Sequence, residues 1–260
     1  MSTSKTAKKL WALNGPTLTH DRGLLVPGET GDITFPVPAF LIEHERGMIL
    51  FDTGLVPAAA KDPAGVYGEM AGEVGLDFRP EQSVDRQIQA LGFALDDITH
   101  VVMSHAHWDH TGGMYLFPKA RFFIGAGELP YAFWPFPAAP LFRREDIEPT
   151  RGFQWYEVSG DYDLFGDGSI VRLHMPGHTP GNGSLLVRLA NQTIILAADT
   201  THLRSGYAQD LPMPSDYSTL DAVHSIRRLK QLEASLDAMV WISHDPDDWA
   251  RYRHAPEYYD

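Results

Sequence analysis

Cysteine is absent from all 260 residues. There is therefore no disulfide framework and no thiolate ligand, and any metal must rest on nitrogen and oxygen. Basic residues are scarce: 21 Lys and Arg against 34 Asp and Glu leave a formal charge of −13, the wrong sign for a surface that neutralises phosphates. Nucleic acid is not expected as a partner. No apolar run approaches the ~20 residues of a membrane span. Leu10-Trp-Ala-Leu13, ahead of Asn14-Gly15-Pro16, is too short for the apolar core of a secretory leader despite the basic residues before it. No membrane partner is expected, and the cytoplasm is the expected location. Gly/Ser linkers, low-complexity tracts, repeats and long like-charge runs are also missing. With 43% hydrophobic residues for a core, the chain reads as one α/β domain spanning 1–260, a monomer or homodimer.

What is present is a dense cluster of potential ligands. The run Ser104-His105-Ala-His107-Trp-Asp109-His110 follows Thr99-His-Val-Val-Met103, whose β-branched and apolar residues read as a buried strand. On an extended segment alternate side chains share a face, so His105 and His107 are placed to share one ion while Asp109 and His110 address a second. Three later segments have the residue types to complete both sites. His178 lies in the turn Met175-Pro-Gly-His-Thr-Pro-Gly181 after Ile170–Leu173, Asp199 ends Thr193–Ala198, and His244 ends Ala238–Ser243. Ligands from strand ends on one rim would converge without long unsupported loops.

On these residues the chain resembles the metallo-β-lactamase-fold hydrolases, whose His-x-His-x-Asp-His signature with later His, Asp and His it matches along nearly its whole length. The turn Phe51-Asp52-Thr-Gly54 matches an early motif of that family. The resemblance implies an αββα four-layer sandwich with two zinc ions per chain. His105, His107 and His178 would hold one zinc and Asp109, His110 and His244 the other, with Asp199 bridging and Asp52 supporting the metal loop. Two such ions, ~3.5–4 Å apart, share a water acidic enough to attack as hydroxide near neutral pH, and Asp109 is placed to carry protons as well as bind metal. Histidine at 107 favours a hydrolase over the di-iron redox members of the fold, which usually carry glutamate there.

The sequence context around these ligands looks most like the N-acyl homoserine lactone lactonases, which implies opening of a small lactone with an apolar tail. One position departs from that pattern. Three residues after the bridging aspartate those enzymes commonly have a tyrosine that contacts substrate, and here His202 stands in its place. A neutral imidazole can donate one hydrogen bond to a carbonyl or alkoxide, which makes His202 a catalytic candidate as well as a simple loop residue; Tyr207 is a weaker substitute. The alternatives are a thioester hydrolase of the glyoxalase II type, which would want basic residues for its anionic carrier, and a non-catalytic metal-binding sensor on the same scaffold.

Strands are expected at Leu10–Leu13, Val37–Ile42 and Met48–Phe51, and helices at Ser83–Leu91 and from Ser218 to about Leu236. The second helix carries an apolar stripe of Leu220, Val223, Ile226 and Leu229. The stretch from Glu128 to Tyr156 is rich in aromatics and prolines, including Tyr131, Phe133, Trp134, Phe136, Phe142, Phe153 and Trp155. It reads as a loop-rich insertion that could line a pocket with Trp108, pack on the core or form a dimer contact. His20, His44, His100, His174, His224 and His254 are assigned no role, since an isolated histidine is usually structural or superficial.

Overall fold

The computed structural model describes residues 6–135 and 141–260. In chain order its strands are β1 (Lys9–Leu13), β2 (Thr17–Asp21), β3 (Asp32–Pro36), β4 (Ala39–His44), β5 (Gly47–Phe51), β6 (Ile98–Val102), β7 (Arg121–Gly125), β8 (Gln154–Val158), β9 (Tyr162–Asp163), β10 (Ile170–His174), β11 (Gly183–Arg188), β12 (Thr193–Leu196) and β13 (Met239–Trp241). They form a six-stranded sheet ordered β1-β4-β5-β6-β7-β8, a five-stranded sheet ordered β13-β12-β11-β10-β9, and a separate β2-β3 hairpin.

The apolar runs Phe40-Leu-Ile42 and Met48-Ile-Leu-Phe51 do not alternate, because both faces of the first sheet are covered. Between the sheets, Phe40, Ile42, Phe51 and Val102 meet Leu185, Val187, Ile194 and Trp241. The outer face of the first sheet packs Leu41, Leu50 and Val101 against Val84 and Ile88 of the helix Val84–Ala90. Outside the second sheet, Leu186, Ile195 and Val240 receive Ile226 and Leu229 of the helix Thr219–Leu236. Each of these two fully buried side chains contributes about 1.5–3 kcal/mol. The result is helix, sheet, sheet, helix, the expected four-layer sandwich.

Two expectations change in detail. The buried stripe of the long helix runs through Ala222, Ser225, Ile226 and Leu229, while Leu220 is 66% exposed. The reason is the turn before His178. A Cβ on Gly177 would lie 2.4 Å from the backbone of Ala222, and Ser225 Oγ donates to Pro176 O at 2.6 Å. The first turns of the helix are thus pressed on a loop, where small residues fit and leucine does not. The aromatic stretch is also not one insertion: it comprises the helices Glu128–Phe133 and Arg144–Ile147 and the strand β8. Phe133, Phe153 and Trp155 pack on the core, and Trp134 is 85% exposed. Phe136 lies outside the described residues.

Topology brings the candidate ligands to one end. β5 runs parallel to β6, and β12 parallel to β13, so the segments after these strands leave from the same rim. They carry Asp52, the run 104–110, Asp199 and His244. The β10–β11 connection adds His178.

Candidate metal centre

Two groups of side chains converge there. His105, His107, His178 and Asp199 offer ligand atoms within 4.8 Å of one another, and so do Asp109, His110 and His244. Asp199 lies between the groups. Its Oδ2 is 3.8 Å from His105 Nε2 and 3.3 Å from His178 Nε2, while its Oδ1 is 3.4 Å from His110 Nε2 and 3.2 Å from His244 Nε2. Asp109 Oδ2 is 3.5 Å from His110 Nε2 and 3.8 Å from His244 Nε2.

The donor set fits divalent metals. His105 Nε2, His110 Nε2 and Asp199 Oδ1 are buried without a hydrogen-bond partner among the described residues, a costly arrangement unless their lone pairs meet a cation. Nitrogen and carboxylate oxygen in this ratio suit zinc and its first-row neighbours. Burial and the neighbouring His178 hold His107 well below the ordinary histidine range, and burial with His110 and His107 does the same to His105. Neutral imidazole is the metal-binding form. For His110 burial acts downward, but Asp109, Asp199 and Asp52 outweigh it and hold the ring well above its usual value. Asp199 is held well below the carboxylate range because His244, His110, His202 and His105 overcome its burial.

Four rings are oriented through Nδ1, leaving Nε2 for the shared points. His105 Nδ1 lies 2.9 Å from Ser104 Oγ, His110 Nδ1 2.9 Å from Asp52 Oδ2, and His178 Nδ1 2.8 Å from Asp216 Oδ1. His244 Nδ1 donates to Pro36 O at 2.8 Å. Partners of this kind fix ring orientation and raise ligand basicity. Asp52, at a positive φ of 58°, also accepts Ser104 N–H at 2.7 Å, which ties the turn after β5 to the start of the cluster.

Sequence reading missed Asp216 and a second tie. Glu128, completely buried, accepts Ala106 N–H at 2.9 Å on one oxygen and Gly181 N–H at 2.8 Å on the other. One carboxylate thus joins the loop carrying His105 and His107 to the loop carrying His178. Beside them the buried Arg172 donates to Met103 O, Ser104 O and Gly181 O. The one available signal was that Glu128 opens a helix amid aromatics; its partners are distant in sequence.

A cleft opens over the cluster, lined by His107, Asp109, His178, Asp199, His202 and His244 and by Leu18, His20, Leu25, Phe35, Trp108, Leu141 and Met213. His202 is buried, with Nε2 3.1 Å from Asp199 Oδ2. Tyr207 is not at the cleft: its hydroxyl donates to Glu233 at 2.7 Å behind the second sheet, so it does not stand in for a substrate-contacting phenol. Phe142 reaches the site through an edge contact with His107 at 4.6 Å. His20, assigned no role from sequence, stacks on Phe35 in the cleft wall. The alternation of Leu18 with His20 and Ile33 with Phe35 was the period-two signal that would have revealed the β2-β3 hairpin.

Among the described residues no helix is long and apolar enough to cross a membrane. The family model of the metallo-beta-lactamase superfamily matches residues 32–244. An N-acyl homoserine lactonase, AttM, of Rhizobium radiobacter is 36% identical over 239 residues, covering 89% of this chain and 90% of the relative. An N-acyl homoserine lactonase of a Bacillus species is 29% identical over 260 residues, covering 97% and 99%. A solved N-acyl homoserine lactone hydrolase with N-hexanoyl-L-homoserine at its catalytic metal centre superposes with a TM-score of 0.87 at 24% identity, over 98% of this chain and 100% of the other. With its fold, its paired ligand groups and these relatives together, the chain belongs to the metallo-beta-lactamase superfamily.

Proposed function

We propose that this protein is a dinuclear zinc hydrolase that opens the ring of an N-acyl homoserine lactone or a closely similar lactone. The observation that carries the reading is the pairing of two buried ligand groups, sharing Asp199, with a cleft whose other walls are apolar apart from His20 and whose lining includes no Lys or Arg. A neutral, apolar-tailed lactone fits such walls. An anionic thioester carrier would need cationic partners there, which counts against the glyoxalase II alternative. The similarity to lactonases such as AttM, 36% identical over 89% of this chain, supports the same substrate class.

His105, His107 and His178 would hold one zinc, Asp109, His110 and His244 the other, and Asp199 both. Bound zinc supplies polarisation of the ring carbonyl and a water acidic enough to attack near neutral pH. The protein does the rest. Leu18, Leu25, Phe35, Leu141 and Met213 take the acyl tail and exclude water, and His202 holds the head of the substrate against the cluster. Asp109, whose side chain is 13% exposed and the most open of the acidic groups here, takes the proton of the attacking water. As the acyl–oxygen bond breaks, it returns that proton to the ring oxygen, which leaves as a hydroxyl. The reading includes a single domain over 1–260, acting in the cytoplasm as a monomer or homodimer. The test is to load purified protein with zinc and add N-hexanoyl homoserine lactone in weak buffer. Acid release matched to lactone loss supports the proposal, and metal binding without turnover of any lactone refutes it.

A further inference from the structure

We propose that the chain carries a second small-molecule site, for an aromatic carboxylate bearing a hydrogen-bond donor, at the end of the sandwich opposite the metal centre. The first sheet outreaches the second there, since β9 has only two residues and pairs only with β10. The gap is a cavity of about 360 Å³ whose lining includes Arg46, His100, Arg121, Phe123, Tyr156 and Phe165, a size typical of small-molecule pockets. His100 lies mid-strand in β6 and precedes His105 by five residues, and Arg46 in the β4–β5 turn and Arg121 at the start of β7 set the cavity toward the end of the sheet away from the metal cluster.

Three features define the ligand. The first is charge. In a chain of formal charge −13, this cavity is lined by two arginines and no carboxylate. Arg46 is engaged, donating to Phe165 O at 2.6 Å and lying 3.6 Å from Asp167, whereas Arg121 has neither ion pair nor hydrogen bond from its side chain among the described residues. One uncommitted guanidinium fork matches one planar carboxylate; a phosphate dianion would need both. The second is shape. Phe123 and Tyr156 stack at 5.0 Å and 12°, and Phe165 stands edge-on to His100 at 5.2 Å, so the walls are ring faces and edges that suit a flat aromatic body.

The third is an acceptor on a largely buried ring. His100 is only 7% exposed, and its Nδ1 lies 2.8 Å from Thr99 Oγ1, which donates its single hydrogen to Met48 O at 3.0 Å. Nδ1 must therefore carry the ring's N–H, and Nε2 is left as a lone-pair acceptor with no partner among the described residues. Burial, with Arg121 and His44, holds this ring down at about 4, so it is neutral at pH 7. His100 and Arg121 are cross-strand partners on one face. A ligand whose carboxylate pairs with Arg121 is thus one whose hydroxyl can donate to His100 Nε2, since both side chains line the same cavity.

The probe is 3-hydroxybenzoate, titrated calorimetrically into the zinc-loaded protein, with benzoate and inorganic phosphate as comparisons. One molecule should bind per chain. Arg121→Gln should weaken it at least tenfold while leaving lactone turnover unchanged, since Arg121 is exposed and far from the metals. The hydroxyl should give a preference over benzoate of roughly 3–10-fold, the worth of one hydrogen bond, and His100→Phe should abolish that preference. Absence of binding overturns the proposal, as does binding indifferent to Arg121→Gln, which would place the carboxylate on the metals. Tighter binding of phosphate would overturn the ligand class.

Discussion

Glu128 is the residue whose replacement tests the architecture of the centre most sharply, because it touches no proposed metal and yet joins both ligand loops. In Glu128→Gln the side chain keeps its shape but loses one acceptor oxygen, so either Ala106 N–H or Gly181 N–H faces an NH2 group. A buried amide left without a partner costs about 1–3 kcal/mol. Arg172, fully buried and pushed down to about 10 by burial against the pull of Glu128 and Asp52, also loses the strongest of the counter-charges acting on it. The sum is about 3 kcal/mol, or roughly 6–12 °C in Tm for a chain near this size. The loops bearing His105, His107 and His178 lose their shared anchor, and supports of this kind typically change metal affinity by ~10–100-fold. The assay is zinc competition with a chromophoric chelator alongside thermal unfolding of the metal-free protein. A variant with wild-type zinc affinity and wild-type Tm would show that Glu128 anchors neither loop.

Other substitutions separate the remaining roles. Asp199→Ala should leave the chain folded but unable to retain two metals, as read by elemental analysis after dialysis; full retention would contradict its shared position. His202→Phe should lower kcat about tenfold at unchanged metal content, consistent with loss of one substrate hydrogen bond, and an unchanged rate would remove it from the reaction. Gly177→Ala puts a Cβ 2.4 Å from Ala222 at a φ of 141° and should cost about 3 kcal/mol, with His178 displaced and metal affinity reduced; urea unfolding with a wild-type midpoint would contradict this. Asp146, pushed up to about 6 from 3.8 by burial against the pull of Arg143, binds its proton more tightly when folded. Its contribution to stability is complete below about pH 4 and is lost as pH rises through 6, a change of about 3 kcal/mol. Denaturation of wild type and Asp146→Asn from pH 4 to 7 should show that difference developing between them, and parallel curves would exclude it.

The convergence of the candidate ligands into two groups was legible in sequence because metal chemistry restricts residue type and because strand ends restrict where those residues fall. His105, His107, Asp109 and His110 are close in the chain, and His178, Asp199 and His244 each close an apolar strand-like run. The layers were legible through continuous apolar segments such as Met48–Phe51. What stayed hidden depends on three-dimensional pairing. Glu128, Asp216 and Arg172 act on backbone or rings that are remote in sequence, and apart from the place of Glu128 at the start of a helix amid aromatics nothing in their own neighbourhoods marks them. His20 was overlooked because its strand is short and half-polar, and Tyr207 was given a place near the substrate that its bond to Glu233 excludes. Leu220 looked like core by spacing alone, but close approach of the Gly177 turn moved the buried stripe to smaller residues.

On the proposed reading two metals, shared through Asp199, make this chain a lactone hydrolase. Stepwise addition of zinc to metal-free protein, with the rate of N-hexanoyl homoserine lactone hydrolysis read at each step, tests it most directly. Activity should rise until two equivalents per chain are bound and then stay level. A plateau at one equivalent, or full metal uptake with no hydrolysis, would contradict it.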